Sequence, residues 1–97
     1  MLSSKQRSRL ASLSQSLDPL VQLGRAGASE AFAEHLDTLL EEHELVKVRF
    51  MDFKESRHEL SLEIAARTKS ELIRVIGNTA IFFRRSSDQE KRRIELE

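Results

Sequence analysis

The chain has 97 residues, with 16 basic and 16 acidic side chains and no formal net charge, so it can fold as one domain that buries about two-thirds of its unfolded surface, with no room for a second lobe. It contains no cysteine, which excludes a disulfide framework, a thiolate nucleophile and a cysteine-held metal. Its longest apolar run, Ala80 to Phe83, is far short of a membrane span, and the N-terminus lacks the apolar stretch of a signal peptide; the sequence predicts a cytoplasmic protein with no membrane partner.

In chain order, Ser3 or Ser4 is placed to cap a first helix that runs to about Ser16, with Leu10, Leu13 and Leu17 on one side and Lys5, Arg9 and Ser12 turned away. Asp18-Pro19 ends it. A short strand over Leu20 to Leu23 leads into Gly24-Arg25-Ala26-Gly27, and Ser29 is set to cap a second helix from about Glu30 to His43. Phe32, Leu36, Leu39 and Leu40 form the inner stripe of that helix, and Glu30, Glu34, Asp37 and Glu41 its outer face. The second strand, Leu45 to Met51, alternates Val46, Val48 and Phe50 with Lys47, Arg49 and Met51, so its two cations share a face. From Lys54 to Lys69 the pattern fits either alternation or a helical stripe; the helix formers and the lack of Gly and Pro favour a helix. Strands over Leu72 to Ile76 and Ala80 to Arg84 flank Gly77-Asn78 as a hairpin. Residues 86–97 are too poor in apolar groups to pack and read as a mobile tail after a domain of residues 1–85. The order α-β-α-β-α-β-β predicts a compact α/β domain in which a small mixed four-stranded sheet packs with three helices.

The zero net charge is a sum of separated patches. Residues 1–28 carry four cations against Asp18, residues 47–85 nine basic against five acidic groups, and residues 29–46 six carboxylates with no Lys or Arg. Local fields of this kind decide what binds. The glycine loop stands out among them: a sharp turn followed by a capped helix start is an anion cradle, to which Arg25 adds a mobile cation.

Four stretches, Leu2 to Arg7, Leu20 to Gly27, Glu42 to Val48 and Val75 to Thr79, resemble in order and spacing the bacterial YhbY-like proteins, which are stand-alone CRM (chloroplast RNA splicing and ribosome maturation) domains. The resemblance covers residues 2 to about 85. It implies an RNA-binding domain similar to the C-terminal domain of translation initiation factor three and associated with precursors of the large ribosomal subunit, with structured, 23S-type ribosomal RNA as partner. The family's loop usually reads Gly-Lys-Asn-Gly, so Arg25 keeps its charge while Ala26 can act only through its backbone. Asn78 stands where the family usually has Lys or Arg, and Phe83 where it often has Tyr.

The candidate RNA contacts are therefore Gly24, Arg25, Ala26 and Gly27 in the loop, Lys47 and Arg49 on the second strand, Lys5 and Arg9 on the first helix, and Arg74 and Arg84 on the hairpin. Pattern alone makes Lys47 and Arg49 a solvated sheet face; the match of Lys47 to the family motif turns the pair toward RNA. Arg74 and Arg84 serve either RNA or their own surroundings.

No catalyst is visible. His35 and His43 are too far apart for a paired zinc site, no Ser/His/Asp arrangement or glycine-flanked Ser occurs, and the loop lacks the Gly-Lys-Ser/Thr of a P-loop. The sequence thus predicts a non-catalytic monomer without cofactor, metal or small-molecule substrate. The competing expectation is a protein-interaction adaptor that grips a basic ribosomal protein with the acidic face of the second helix.

Overall fold

A computed structural model describes residues 2–96; residues 1 and 97 of the spans expected above lie outside the described residues. Helix α1 (Ser4–Ser14) starts in a reciprocal cap. The Ser3 hydroxyl accepts from the Gln6 N–H at 3.1 Å, and the Gln6 side-chain oxygen accepts from the Ser3 N–H at 2.9 Å. Strand β1 (Val21–Leu23), helix α2 (Glu30–His43), strand β2 (Leu45–Phe50), helix α3 (Arg57–Thr68, entered through a 3-10 turn at Lys54–Ser56), strand β3 (Glu71–Ile76) and strand β4 (Thr79–Phe83) follow in the predicted order. A short 3-10 turn at Gln89–Lys91 comes last.

The sheet runs β1-β2-β4-β3, with β1 parallel to β2 and both other pairings antiparallel. One helix joins β1 to β2, as a parallel pair requires, and the hairpin turn carries Gly77 at φ +55°. The helix formers of the ambiguous central segment do build a helix, α3.

Burial divides the sheet into two faces. Val46, Val48 and Phe50 of β2, with Leu23, Ala80 and Phe82, pack against Leu36 and Leu40 of α2 and Ile64 and Ala65 of α3. On the other face Leu45, Ile73, Ile81 and Phe83 meet Leu10 and Ala11 of α1. Since α1 has only eleven residues, it covers one end of that face and leaves the rest open.

Two expectations change. Leu13 and Leu17 are 37% and 39% exposed, and the buried side of α1 is Leu10, Ala11 and Ser14. The helix stops at Ser14, and the i→i−3 bonds from Gln15 N to Ser12 O and Leu17 N to Ser14 O rotate Leu17 off the stripe. The C-terminal segment, expected to be mobile, is instead strapped to the domain. Ile94 and Leu96 pack against the α1 cluster, and Lys91 pairs with Glu42 at 2.8 Å. The fully buried Glu44 carboxylate accepts the backbone N–H groups of Ser86 (2.7 Å), Arg93 (2.8 Å) and Ile94 (3.2 Å). Apolar content underestimated this segment because hydrogen bonds to one buried acceptor do the holding.

Candidate nucleic-acid interface

The glycine loop is a closed turn at the end of β1. Gly27 N–H donates to Gly24 O at 2.9 Å, Ser29 N–H to Gly27 O at 2.9 Å, and the Ser29 hydroxyl accepts from Phe32 N–H at 3.1 Å, capping α2 as expected. Arg25 and Ala26 form the exposed tip. The two glycines differ. Gly27 has φ +70° and lies under the Phe53 ring, so that a Cβ there would come within 3.4 Å of ring carbon Cε2; Gly24 has no positive φ and open space around it. Gly27→Val should therefore cost about 1–2 kcal/mol in urea unfolding, whereas Gly24→Val should stay within about 0.5 kcal/mol of the parent. Equal losses at both positions would show that φ does not govern this turn.

Two neighbours hold the loop. Met51 N–H donates to Leu23 O at 2.9 Å, tying β2 to the loop root, and the Arg67 guanidinium of α3 donates to Ala28 O at the loop exit. Arg67 escaped the sequence reading because its partner is a carbonyl 39 residues away. The first turn of α2 also carries Glu30, whose carboxylate already answers the positive helix end. Among the loop's own side chains, Arg25 is the one cation.

Strand register assembles the next group. Gln22, Arg49, Thr79 and Ile76 lie side by side across the four strands, and Lys47, Ile81 and Arg74 across three of them. Residues opposite one another in a ladder share a face. Lys47, Arg49 and Arg74 thus share the face that carries α1: Arg49 and Arg74 are exposed there, while Lys47 is half-buried beside Ile81, which α1 covers. Lys47 Nζ also donates to Leu17 O at 3.0 Å, which fixes its height over the α1–β1 link. The bond from Phe50 N–H to Asn78 O (2.6 Å) draws the hairpin turn to the end of β2, where the chain leaves toward α3, so the turn and the glycine loop border the same end of the sheet.

The remaining candidates separate. Lys5 and Arg9 are both exposed on α1, and Arg9 Nε donates to Glu95 O of the C-terminal strap at 3.2 Å. Arg84 leaves the group altogether. Its guanidinium donates to Asp37 Oδ1 (2.5 Å), Thr68 O (2.7 Å), Asp37 O (3.1 Å) and Glu41 Oε1 (3.3 Å), and the side chain is only 18% exposed. As the first residue beyond β4 it is directed at α2 and α3, away from the open face; of its two possible roles the structure gives it the internal one. Arg7, which is not among the candidate contacts, ties α1 to β3 through Leu72 O (2.7 Å) and Glu71 (2.9 Å).

Two of the four carboxylates on the acidic face of α2, Asp37 and Glu41, have internal partners, while Glu30 and Glu34 are exposed. Asp37 and Glu41 take Arg84, Glu41 also takes Ser86 and Ser87, and Glu42 takes Lys91. Hydrogen bonds from the Ser87 hydroxyl and N–H hold the Glu41 carboxyl below its ordinary range. The Lys91 ammonium does the same to Glu42 and is itself raised by that partner. Among the described residues no group of three or more His, Asp or Glu side chains is arranged to hold a metal ion, and no helix is long and apolar enough to cross a membrane.

This fold has counterparts among known proteins. The family model of the CRS1 / YhbY (CRM) domain matches residues 2–84, and the chain belongs to this family. It is 30% identical over 97 residues to the Probable RNA-binding protein YqeI of Bacillus subtilis, covering 99% of both chains. To an RNA-binding protein of Haemophilus influenzae it is 31% identical over 88 residues, covering 90% of this chain and 89% of that one. The solution structure of the hypothetical protein SAV1595 from Staphylococcus aureus is similar to it with a TM-score of 0.81 and 33% identity, over 98% of this chain and 100% of the other.

Proposed function

We propose that this protein is a non-catalytic RNA-binding module of the cytoplasm that works as a monomer on precursor ribosomal RNA during assembly of the large ribosomal subunit. The observation that carries the RNA part is that Arg25, presented on a closed glycine turn, and a sheet face with Lys47 and the exposed Arg49 and Arg74 belong to one sheet, the turn at its end. Cations spread over a face and a turn neutralise phosphates along a structured backbone, which is recognition of shape more than of sequence. The names of the relatives support RNA as the partner. The ribosomal part rests on the likeness of four motifs to YhbY-like proteins. The adaptor alternative is left with Glu30 and Glu34 at one end of that face, because Asp37 and Glu41 already have internal partners.

The test has two arms. Arg25→Ala and Arg49→Ala should each weaken binding to protein-free ribosomal RNA across sequences and lower the salt slope by roughly one unit or less, with little change in melting temperature. In lysates the protein should sediment with immature large subunits and be scarce on mature ribosomes. An unaltered salt slope in both variants would remove these cations from the interface. Sedimentation only with free protein at the top of the gradient would end the assembly role.

A further inference from the structure

Four of the five phenylalanines serve the core. Phe50, Phe82 and Phe83 are buried, and Phe32 packs half-buried against the same cluster. Phe53 does not: it is 39% exposed, and the chain has no tryptophan or tyrosine to rival it. Its backbone sits at φ +58°, ψ +34°, a region costly for a bulky side chain. Local bonds enforce that conformation. Asp52 Oδ1 accepts from the Phe53 N–H at 2.8 Å, while Phe53 O accepts the Ser56 N–H at 3.1 Å and the Ser56 hydroxyl at 3.4 Å. The chain thus accepts backbone strain to keep an aromatic ring at the surface, beside the glycine turn.

One edge of the ring lies over the α-carbon of Gly27, where a Cβ would come within 3.4–3.5 Å of ring carbons Cε2 and Cζ. Between the loop and the start of α3 runs a groove lined by Ala26, Gly27, Phe53, Ser56, Glu59 and Glu63, among others. Its chemistry is unlike that of the cationic sheet face. Glu59 and Glu63, one helical turn apart, give it carboxylates and no cation, so it repels phosphate and accepts N–H donors. An aromatic platform with carboxylate acceptors at one side, next to a turn that presents an arginine for the backbone, suits one class of ligand: a nucleobase with an exocyclic amino group.

We infer that this groove is a base-binding slot, in which an unpaired RNA base carrying an exocyclic amine stacks on Phe53 and donates to Glu59 or Glu63 while its phosphate meets Arg25. The inference rests on the RNA-binding reading above and adds to it a site that reads a base. Ribosomal RNA supplies such bases in loops and bulges, where they are free to leave the stack.

Fluorescence anisotropy with labelled single-stranded oligocytidylate and oligouridylate, beside a structured ribosomal RNA fragment, tests it. The parent should prefer oligocytidylate, because cytosine offers an amino group where uracil offers a carbonyl. Phe53→Asn, a residue that tolerates positive φ, and Phe53→Leu, which keeps apolar bulk, should both lose about tenfold or more for oligocytidylate with an unchanged salt slope, and Phe53→Trp should keep the affinity. Glu59→Ala combined with Glu63→Ala should erase the preference for cytosine over uracil. Parent-like affinity of the Asn and Leu variants, or no preference between the two oligonucleotides in the parent, would overturn the slot and leave the RNA reading standing if the structured fragment still binds. Failure of the parent to bind the structured fragment would overturn the RNA reading itself.

Discussion

Replacing Glu44 by leucine should destabilise the protein by roughly 2–4 kcal/mol, read as a fall in the urea midpoint. Glu44 is fully buried, and three backbone N–H groups of the C-terminal segment converge on its carboxyl oxygens. An apolar side chain would leave those donors without an acceptor, at about 1–3 kcal/mol for each one that stays buried; of the three, the Ser86 N–H is the buried one, whereas those of Arg93 and Ile94 are part-buried and regain water if the strap lifts. Glutamine would rescue little, because its NH2 must face an N–H donor on one side. The residue also carries φ +65° at the junction of α2 and β2, so Glu44→Gly relieves the backbone while it removes the acceptor. Hydrogen exchange at Ser86, Arg93 and Ile94 should accelerate in all three variants. Stability within about 0.5 kcal/mol of the parent in the leucine variant would show that the strap is held elsewhere. Acid should loosen the same strap: Glu41 and Glu42 have depressed values in the fold, so their contribution is present above the ordinary carboxylate range and is lost as pH falls through their lowered values.

Arg84→Met should cost roughly 2–3 kcal/mol and leave the salt slope of RNA binding unchanged. Four hydrogen bonds, two of them to carboxylates, join α2, α3 and the end of β4 through this one guanidinium. Methionine fills much of the volume and satisfies neither Asp37 nor Thr68 O. Lysine should recover little, because a point charge cannot reproduce a fork that serves two helices. Chemical unfolding and RNA titration at several salt concentrations on the same variant separate the two roles. A stable variant with a reduced slope would return Arg84 to the RNA surface.

These two residues mark where reading the chain reached its limit. Element order was legible because apolar spacing has only two periods to choose between, and Ser3, Ser29 and Gly77-Asn78 punctuate it. The glycine turn and its cap were legible because their bonds span five residues or fewer. The family likeness supplied the RNA expectation, which no single motif would have carried. Strand alternation placed Lys47 and Arg49 on one face, but that Arg74 joins them depends on β4 inserting between β2 and β3, a pairing that spacing does not reveal.

Long-range partners decided the rest. Arg84, Arg67 and Arg9 look alike as isolated cations, and only the fold shows that each donates to a carbonyl 16 to 86 residues distant. The acidic stretch of α2 read as a free surface until the C-terminal cations and serines were seen lying on it. Phe53 follows the same rule, since nothing in the spacing around it marks an exposed ring. Its exposure comes from a left-handed turn just before α3 that places it over Gly27, a juxtaposition of two loops 26 residues apart. Local chemistry thus determined what each segment of this protein is, while charge partners and exposed faces were settled by which segments the sheet order brings together, because ion pairs and stacking depend on distance in space and carry no signature in sequence spacing.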